Sequence, residues 1–339
     1  MVCIDRCGLG HVWHLARCEI FSEPFYTRFV NQHLSNTRYP VIVGPTAGGK
    51  TALAVELAKQ FAGEVVTADA YQIYTDLNIG TAKPTIEEQQ SIPHHLINIA
   101  DLKDRFTVHD WLNRANPLIE TLQAKGSPPI VVGGTNLYVK SFLDGLFESP
   151  EPTTAIKEQV EAMSQPERRA MLTKADPNAA DRIDGADIRR TRRALEVYLQ
   201  TGTPITELQK QWEHEKTSRP QAVLVGLDWP IELINSRINQ RVKLMIEAGL
   251  VDEARALFDA DAYGDQSREA IGYKQLIVHF QGRCTLNEAI ERIKIDTRRF
   301  AKNQRTWMKR LRIREGSIWI EAADRSAQDI ADEVMNRFV

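Results

Sequence analysis

Gly44, Gly49, Lys50 and Thr51 fit the spacing G-x-x-x-x-G-K-[ST], with Pro45, Thr46, Ala47 and Gly48 between them. Glycines so placed let backbone N–H groups turn inward around an anion. A lysine adds a point charge for terminal phosphates, and the threonine hydroxyl can ligate Mg²⁺. The chemistry is phosphate binding, whether of ATP or of another phosphate ligand. Asp69 is the next reactive candidate. It closes the run EVVTAD, and DAYQIYTDLNIGTAKP continues from it. A carboxylate there can serve as general base, or it can cap a helix or hold a structural hydrogen bond. Arg237 and Arg241 stand four apart on one face of a predicted helix, ready for phosphate or for Glu232 and Glu247. Thr135 in VGGT can touch a ligand or cap the helix that follows.

These residues need a frame. Val41–Val43 is a β-branched run, and TALAVELAKQF after the loop has apolar residues at helical spacing. The glycines therefore sit where a strand turns into a helix, whose positive end favours an anion. EVVTAD reads as a second strand, LINIA as a short one, and Val108 to Lys125 as a helix leading into the buried strand of PPIVVGGT. Such alternation predicts an α/β fold: a parallel sheet flanked by helices, of the P-loop type. Asp69 then lies at the carboxyl edge of the sheet, where open α/β sheets bind ligands. PPIVV ends without an Mg²⁺-holding Asp, and Asp228 before Trp-Pro reads as a turn or cap, so ordinary ATP hydrolysis is poorly supported.

From about Pro150 to Lys216 no strand is evident, and several helices separated by Pro and Gly form an insertion. AVLVGLD resumes the sheet, and the remainder reads as mostly helical. The expected organisation is a leader over 1–39, a catalytic core over 40–149 and 217–322, a helical insertion over 150–216, and a C-terminal helix over 323–339. The leader reads as a disordered extension or a misassigned start. Its Cys3, Cys7, His11 and His14 are spaced too closely for a usual zinc finger.

The chain has 339 residues, 42% hydrophobic and 26% charged, enough for a substantial core. No 18-residue apolar stretch occurs, so no membrane span is expected. Four cysteines without a disulfide pattern point to a reducing cytoplasm. Net charge is only −2, but eight Lys or Arg and no acid lie between Arg298 and Arg314. Four more arginines, Arg189, Arg190, Arg192 and Arg193, surround Ile188, Thr191, Leu195 and Tyr198, whose spacing marks a buried helix face. The basic clusters can meet phosphates or form solvated faces. Phe300, Trp307, Met308 and Leu311 read as core.

GPTAGGKT, DAYQIYTDLNIGTAKP, PHHLINI, VVGGTNLY, DIRRTRRALEVY, REAIGYKQ and TRRFAKNQRTWMKR occur in the order of the tRNA dimethylallyltransferase (isopentenyltransferase) family. The chain resembles that family from about Val41 to Arg310. The resemblance implies transfer of a dimethylallyl group from dimethylallyl diphosphate to N6 of adenosine 37, in tRNAs reading codons that begin with U. The loop would hold the leaving diphosphate, with Mg²⁺ on Thr51. By resemblance, Thr46, Asp69 and Arg241 are catalytic, with Asp69 the base and Arg237 near the diphosphate. Asp69, Ala70, Tyr71, Gln72, Thr135, the four arginines from Arg189 to Arg193, Arg268, Gly272, Tyr273 and Lys274 are implied tRNA contacts. Because adenosine N6 is unreachable in a stack, the base should be flipped out.

Three departures stand out: Gly48 where the family usually has Ser, Ala70 where Ser often follows the base, and a helical insertion shorter than in many members. A small-metabolite kinase, a prenyltransferase for free AMP or ATP, and a non-catalytic RNA-binding module are the rival readings. The absence of a late Cys pair points to a bacterial-type enzyme, with monomer as the expected state.

Overall fold

The computed structural model describes residues 38–146, 151–214 and 219–338. Residues 1–37 of the leader, and the zinc reading of its Cys and His, lie outside them, while Tyr39 already opens the first strand. Six parallel strands form one sheet in the order β3-β2-β4-β1-β5-β6. They are β1 (Tyr39–Val43), β2 (Glu64–Thr67), β3 (His94–His95), β4 (Pro129–Val132), β5 (Ala222–Asp228) and β6 (Ile318–Glu321). β1, β2 and β4 bury almost every residue, as strands covered on both faces must.

The first half alternates these strands with α1 (Lys50–Phe61), the single turn α2 (Ile86–Gln89), α3 (Val108–Ala124) and α4 (Asn136–Asp144). Trp111 of α3 is fully buried and donates its Nε1–H to Thr67 O at 2.8 Å. That bond fixes the carboxyl end of β2, two residues before Asp69. α5 (Thr154–Ala162), α6 (Gln165–Ala175), α7 (Pro177–Arg182), α8 (Ile188–Thr201) and α9 (Ile205–His214) follow, sharing an apolar cluster around Val160, Leu172 and Leu195. The second half carries α10 (Ile231–Glu247), α11 (Leu250–Asp259), α12 (Tyr273–Phe280), α13 (Leu286–Leu311) and α14 (Ala327–Phe338). α14 closes the face of the sheet that α1 covers: Ile330, Val334 and Phe338 pack with Leu53 and Leu57, and Phe338 meets Phe61 edge-on at 5.0 Å.

Several sequence expectations change. LINIA is not a strand. The pairing residues are His94 and His95, and Leu96 (φ 60°) and Asn98 (φ 53°) take left-handed conformations that end extension at once. Of that segment only Ala100 returns to a bridge, with Tyr74. β6 is an additional strand in a region read as helical, because four alternating residues, IWIE, find an edge beside β5. Asp228 ends β5 as part of the strand and pairs with Arg312. On α8 the buried face is Thr191, Ala194, Leu195 and Val197, whereas Ile188 is exposed in the first turn. On α13 Met308 and Leu311 are core, but Phe300 is exposed and Trp307 half-buried.

Candidate active site

Three loops leave the carboxyl edge of the sheet side by side: Gly44–Gly49 after β1, Asp69–Gln72 after β2 and Gly133–Thr135 after β4. Gly49 caps α1 in a left-handed conformation (φ 83°), and no side chain caps this helix. The N–H groups of its first turn therefore stay available, at the positive end of a twelve-residue helix. Lys50 Nζ donates to Pro45 O at 2.9 Å, folding the lysine back over the loop. Thr51 is half-buried in the same turn.

Lys50, Asp69 and Arg241 are brought together across nearly two hundred residues. Burial, and then the Arg241 guanidinium, push the Lys50 ammonium down to about 8, while the Asp69 carboxylate opposes them. Burial likewise lowers Arg241; Glu88 and Asp69 act against that shift, and Arg237 reinforces it. Three cations, Lys50, Arg237 and Arg241, facing the two carboxylates of Asp69 and Glu88 leave a local excess of positive charge. Such a site is suited to a multiply charged anion.

Asp69 is held by the turn it starts. Its Oδ1 accepts from Tyr71 N at 2.9 Å and Gln72 N at 3.2 Å. Among the described residues Oδ2 has no hydrogen-bond donor, so one oxygen is anchored and the other can take a proton. Thr135 does not cap α4; its Oγ1 accepts from Ala70 N at 3.0 Å, tying the β4 loop to the Asp69 loop. Gln72 donates to Thr81 O and Ala82 O, both at 3.1 Å, so its amide shapes the loop.

The segments GTAKP and PHHLINI acquire a physical purpose here. Lys83 Nζ donates to Tyr74 O, Thr75 O, Asn78 Oδ1 and Asn98 Oδ1, at 2.6, 3.1, 2.9 and 2.5 Å. It clasps the loop after Asp69 to the loop after β3. Tyr273 completes the clasp. It is fully buried, donates to Glu253 Oε1 at 2.5 Å and accepts from Gly80 N at 3.0 Å. Tyr273, and Gly272 that caps its helix, are thus buried behind the loop. Their neighbours Arg268 and Lys274 are exposed, with Lys274 2.5 Å from Glu269.

Arg237 donates through Nε to Ala47 O at 2.9 Å and bears electrostatically on Arg241. Of the α8 arginines, Arg189 reaches the site electrostatically: with burial and Glu269 raising the Tyr71 phenol, Arg189 lowers it. Arg190 pairs with Asp187, and Arg192 with Glu161 and Glu196. Arg193 bears electrostatically on Glu151.

One residue has no precedent in the motif. Gln304, on α13 and buried, accepts from Thr46 N at 2.7 Å and donates from Nε2 to Gly134 O at 2.9 Å. A Cβ on Gly134 would stand 2.5 Å from that nitrogen, so the second glycine of VGG is what admits the amide. Gln304 thus joins the β1 and β4 loops. Gln304→Leu would leave a buried N–H and a buried carbonyl unpaired, each costing about 1–3 kcal/mol. The expected outcome is a lower melting temperature together with a loss of pyrophosphate affinity, read by calorimetry.

Among the described residues no group of three His, Cys, Asp or Glu could hold a metal, and no helix is long and apolar enough to cross a membrane.

The chain matches the family described as IPP transferase over residues 72–311. It is 41% identical over 294 residues to a tRNA dimethylallyltransferase of Shouchella clausii (strain KSM-K16), covering 85% of this chain and 92% of that one. To a tRNA dimethylallyltransferase of Carboxydothermus hydrogenoformans it is 39% identical over 304 residues, covering 87% and 95%. Among solved structures it is similar to a tRNA isopentenylpyrophosphate transferase from Bacillus halodurans (36% identity, TM-score 0.64, 88% and 96% covered). It is also similar to a eukaryotic dimethylallyltransferase acting on tRNA (29% identity, TM-score 0.76, 89% and 79% covered).

Proposed function

The chain belongs to the IPP transferase family, and from that membership we propose that it transfers a dimethylallyl group from dimethylallyl diphosphate to N6 of adenosine 37, in tRNAs reading codons that begin with U. The observation that carries the assignment of residues is the convergence of Lys50, Asp69 and Arg241 on an uncapped helix N-terminus.

The reaction forms a bond from N6 to the allylic carbon and breaks the bond from that carbon to the diphosphate oxygen. Diphosphate leaves with the electron pair, so negative charge grows on the oxygen it retains. The α1 amides, Lys50 and Arg241 supply positive charge for it in a site already shaped for an anion. N6 is a weak nucleophile because its lone pair is delocalised into the ring. Its proton becomes acidic as the new bond forms, and Asp69 Oδ2 takes it. The Tyr71 and Gln72 amides hold the other oxygen and fix the carboxylate's direction.

Mg²⁺ fits the donor set. Without a carboxylate cluster, a cation here would rest on the Thr51 hydroxyl, diphosphate oxygens and water, as Mg²⁺ commonly does. When bound it would neutralise part of the diphosphate charge. Arg189, Arg190, Arg192, Arg193, Arg268 and Lys274 are the proposed meeting points for anticodon-loop phosphates, with Arg190, Arg192 and Lys274 held by acidic neighbours in the free protein. α5 to α9 are proposed to form the tRNA-contacting insertion, in a cytoplasmic monomer.

The test is incubation with Mg²⁺, labelled dimethylallyl diphosphate and an anticodon stem-loop bearing adenosines at 36 and 37. Parallel reactions offer AMP, or ATP without prenyl donor. Label in the stem-loop is the expected result. Label in AMP alone would move the protein to the free-nucleotide class, and ATP turnover without prenyl transfer would make it a kinase.

A further inference from the structure

The phosphate loop is held from its carbonyl side as well as its amide side. Trp229 Nε1 donates to Gly48 O at 3.1 Å, and Arg237 Nε donates to Ala47 O at 2.9 Å. The Arg237 guanidinium lies 4.7 Å from the centroid of the Trp229 ring, so the two donors form one stacked unit. They line a cavity of about 420 Å³ with Leu233, Ser236, Asp324 and Arg325. Neither Lys50 nor Asp69 is among the residues that line it.

The segment so held is strained. Ala47 has φ 61°, a conformation that a residue with a Cβ keeps only where its surroundings impose it. Here they do: its methyl packs with Ile234, Ile238 and Ala301, with Trp229 against them, and Arg237 binds its carbonyl. Carbonyl and amide of a trans peptide point in opposite directions. Pinning Gly48 O to the indole therefore turns the Gly49 N–H toward the concave side of the loop. Gly48 is what makes the arrangement possible. A Cβ there would stand 2.8 Å from Pro45 O and 3.1 Å from Trp229 Nε1.

We propose that Trp229 is a positioning residue for the diphosphate: with Arg237 stacked on it, the indole holds Ala47–Gly48 so that the Gly49 amide is aimed in advance, and Gly48 gives it room. This rests on the loop being the diphosphate site of a prenyl transfer. Trp229→Phe removes the N–H and keeps a ring for Arg237. In the full chain it is expected to weaken binding of inorganic pyrophosphate with Mg²⁺ by about five- to tenfold, the scale of one lost hydrogen bond. KM for dimethylallyl diphosphate should rise by the same factor, with KM for the stem-loop unchanged.

Gly48→Ser is the second variant. Its Cβ meets Pro45 O at 2.8 Å in either background and the indole nitrogen at 3.1 Å only where Trp229 is present, so it should weaken pyrophosphate binding more in the native background than in Trp229→Phe. Native-like pyrophosphate affinity in Trp229→Phe, even with a lowered melting temperature, would make the indole a packing residue and overturn the proposal. Equal losses from Gly48→Ser in both backgrounds would do the same. Trp229-dependent pyrophosphate binding by a protein that prenylates no RNA would uphold the brace and remove the proposed reaction.

Discussion

Asp69→Asn is expected to lower kcat for RNA prenylation by about 10²- to 10⁴-fold, with KM for dimethylallyl diphosphate near its native value. The asparagine is a sharper test than alanine because of how the turn is built. Asp69 Oδ1 accepts from the Tyr71 and Gln72 amides, and an asparagine carbonyl can keep both bonds. The loop and its ties to Thr135 and Lys83 should then survive. What disappears is the second carboxylate oxygen, the acceptor for the N6 proton. Matched thermal unfolding and pyrophosphate affinity would show that loop and cradle are intact. A kcat within about threefold of native in that setting would end the role of Asp69 as base, since general-base contributions are much larger.

How far these residues could be read from sequence depends on whether their partners are local. The phosphate loop was legible because its chemistry is contiguous: eight residues between a β-branched run and an apolar helix contain the cradle, the charge and the hydroxyl. Asp69 was legible from its place at a strand end. For Arg237, helical spacing gives one face shared with Arg241 and says nothing about how the loop winds between them. The left-handed Ala47 decides that, turning a carbonyl toward one arginine. Gln304 lies in the segment TRRFAKNQRTWMKR, but its role gave no local signal, since its two partners are 258 and 170 residues away.

Tyr273 lies in a segment that resemblance attaches to tRNA, yet its hydroxyl goes to Glu253 and Gly80. Identity in a motif does not distinguish a contact from the support beneath it. The edge strands were missed or misplaced for a related reason. β3 has two residues, too few for a period, and the four of β6 lie at the sheet edge between two helices; the pairing of each comes from the strand beside it.

Lys50→Met should lower kcat/KM by about 10²- to 10³-fold, the usual cost of removing a preorganised donor from developing negative charge. It should also remove a pH dependence. In the free protein burial, with Arg241 beside it, brings the Lys50 ammonium down to about 8. An incoming diphosphate favours the charged form, so binding raises that value again. Affinity is then fullest below pH 8 and is lost as the pH rises through it, by about tenfold between pH 7 and 9. Folding stability runs the other way over a higher window. The unfolded lysine binds protons up to its ordinary 10.5, so the cost of burying the cation is relieved between about 8 and 10.5, and Lys50's own contribution rises there. Pyrophosphate titrations at pH 7, 8 and 9 in native protein and Lys50→Met separate these effects from the ligand's own ionisation, which both proteins share. A native affinity that falls no more steeply than the variant's would mean that Lys50 does not carry the charge the diphosphate meets. Arg241, whose guanidinium keeps its proton across this range, would then be the sole cation of the three facing groups to do so.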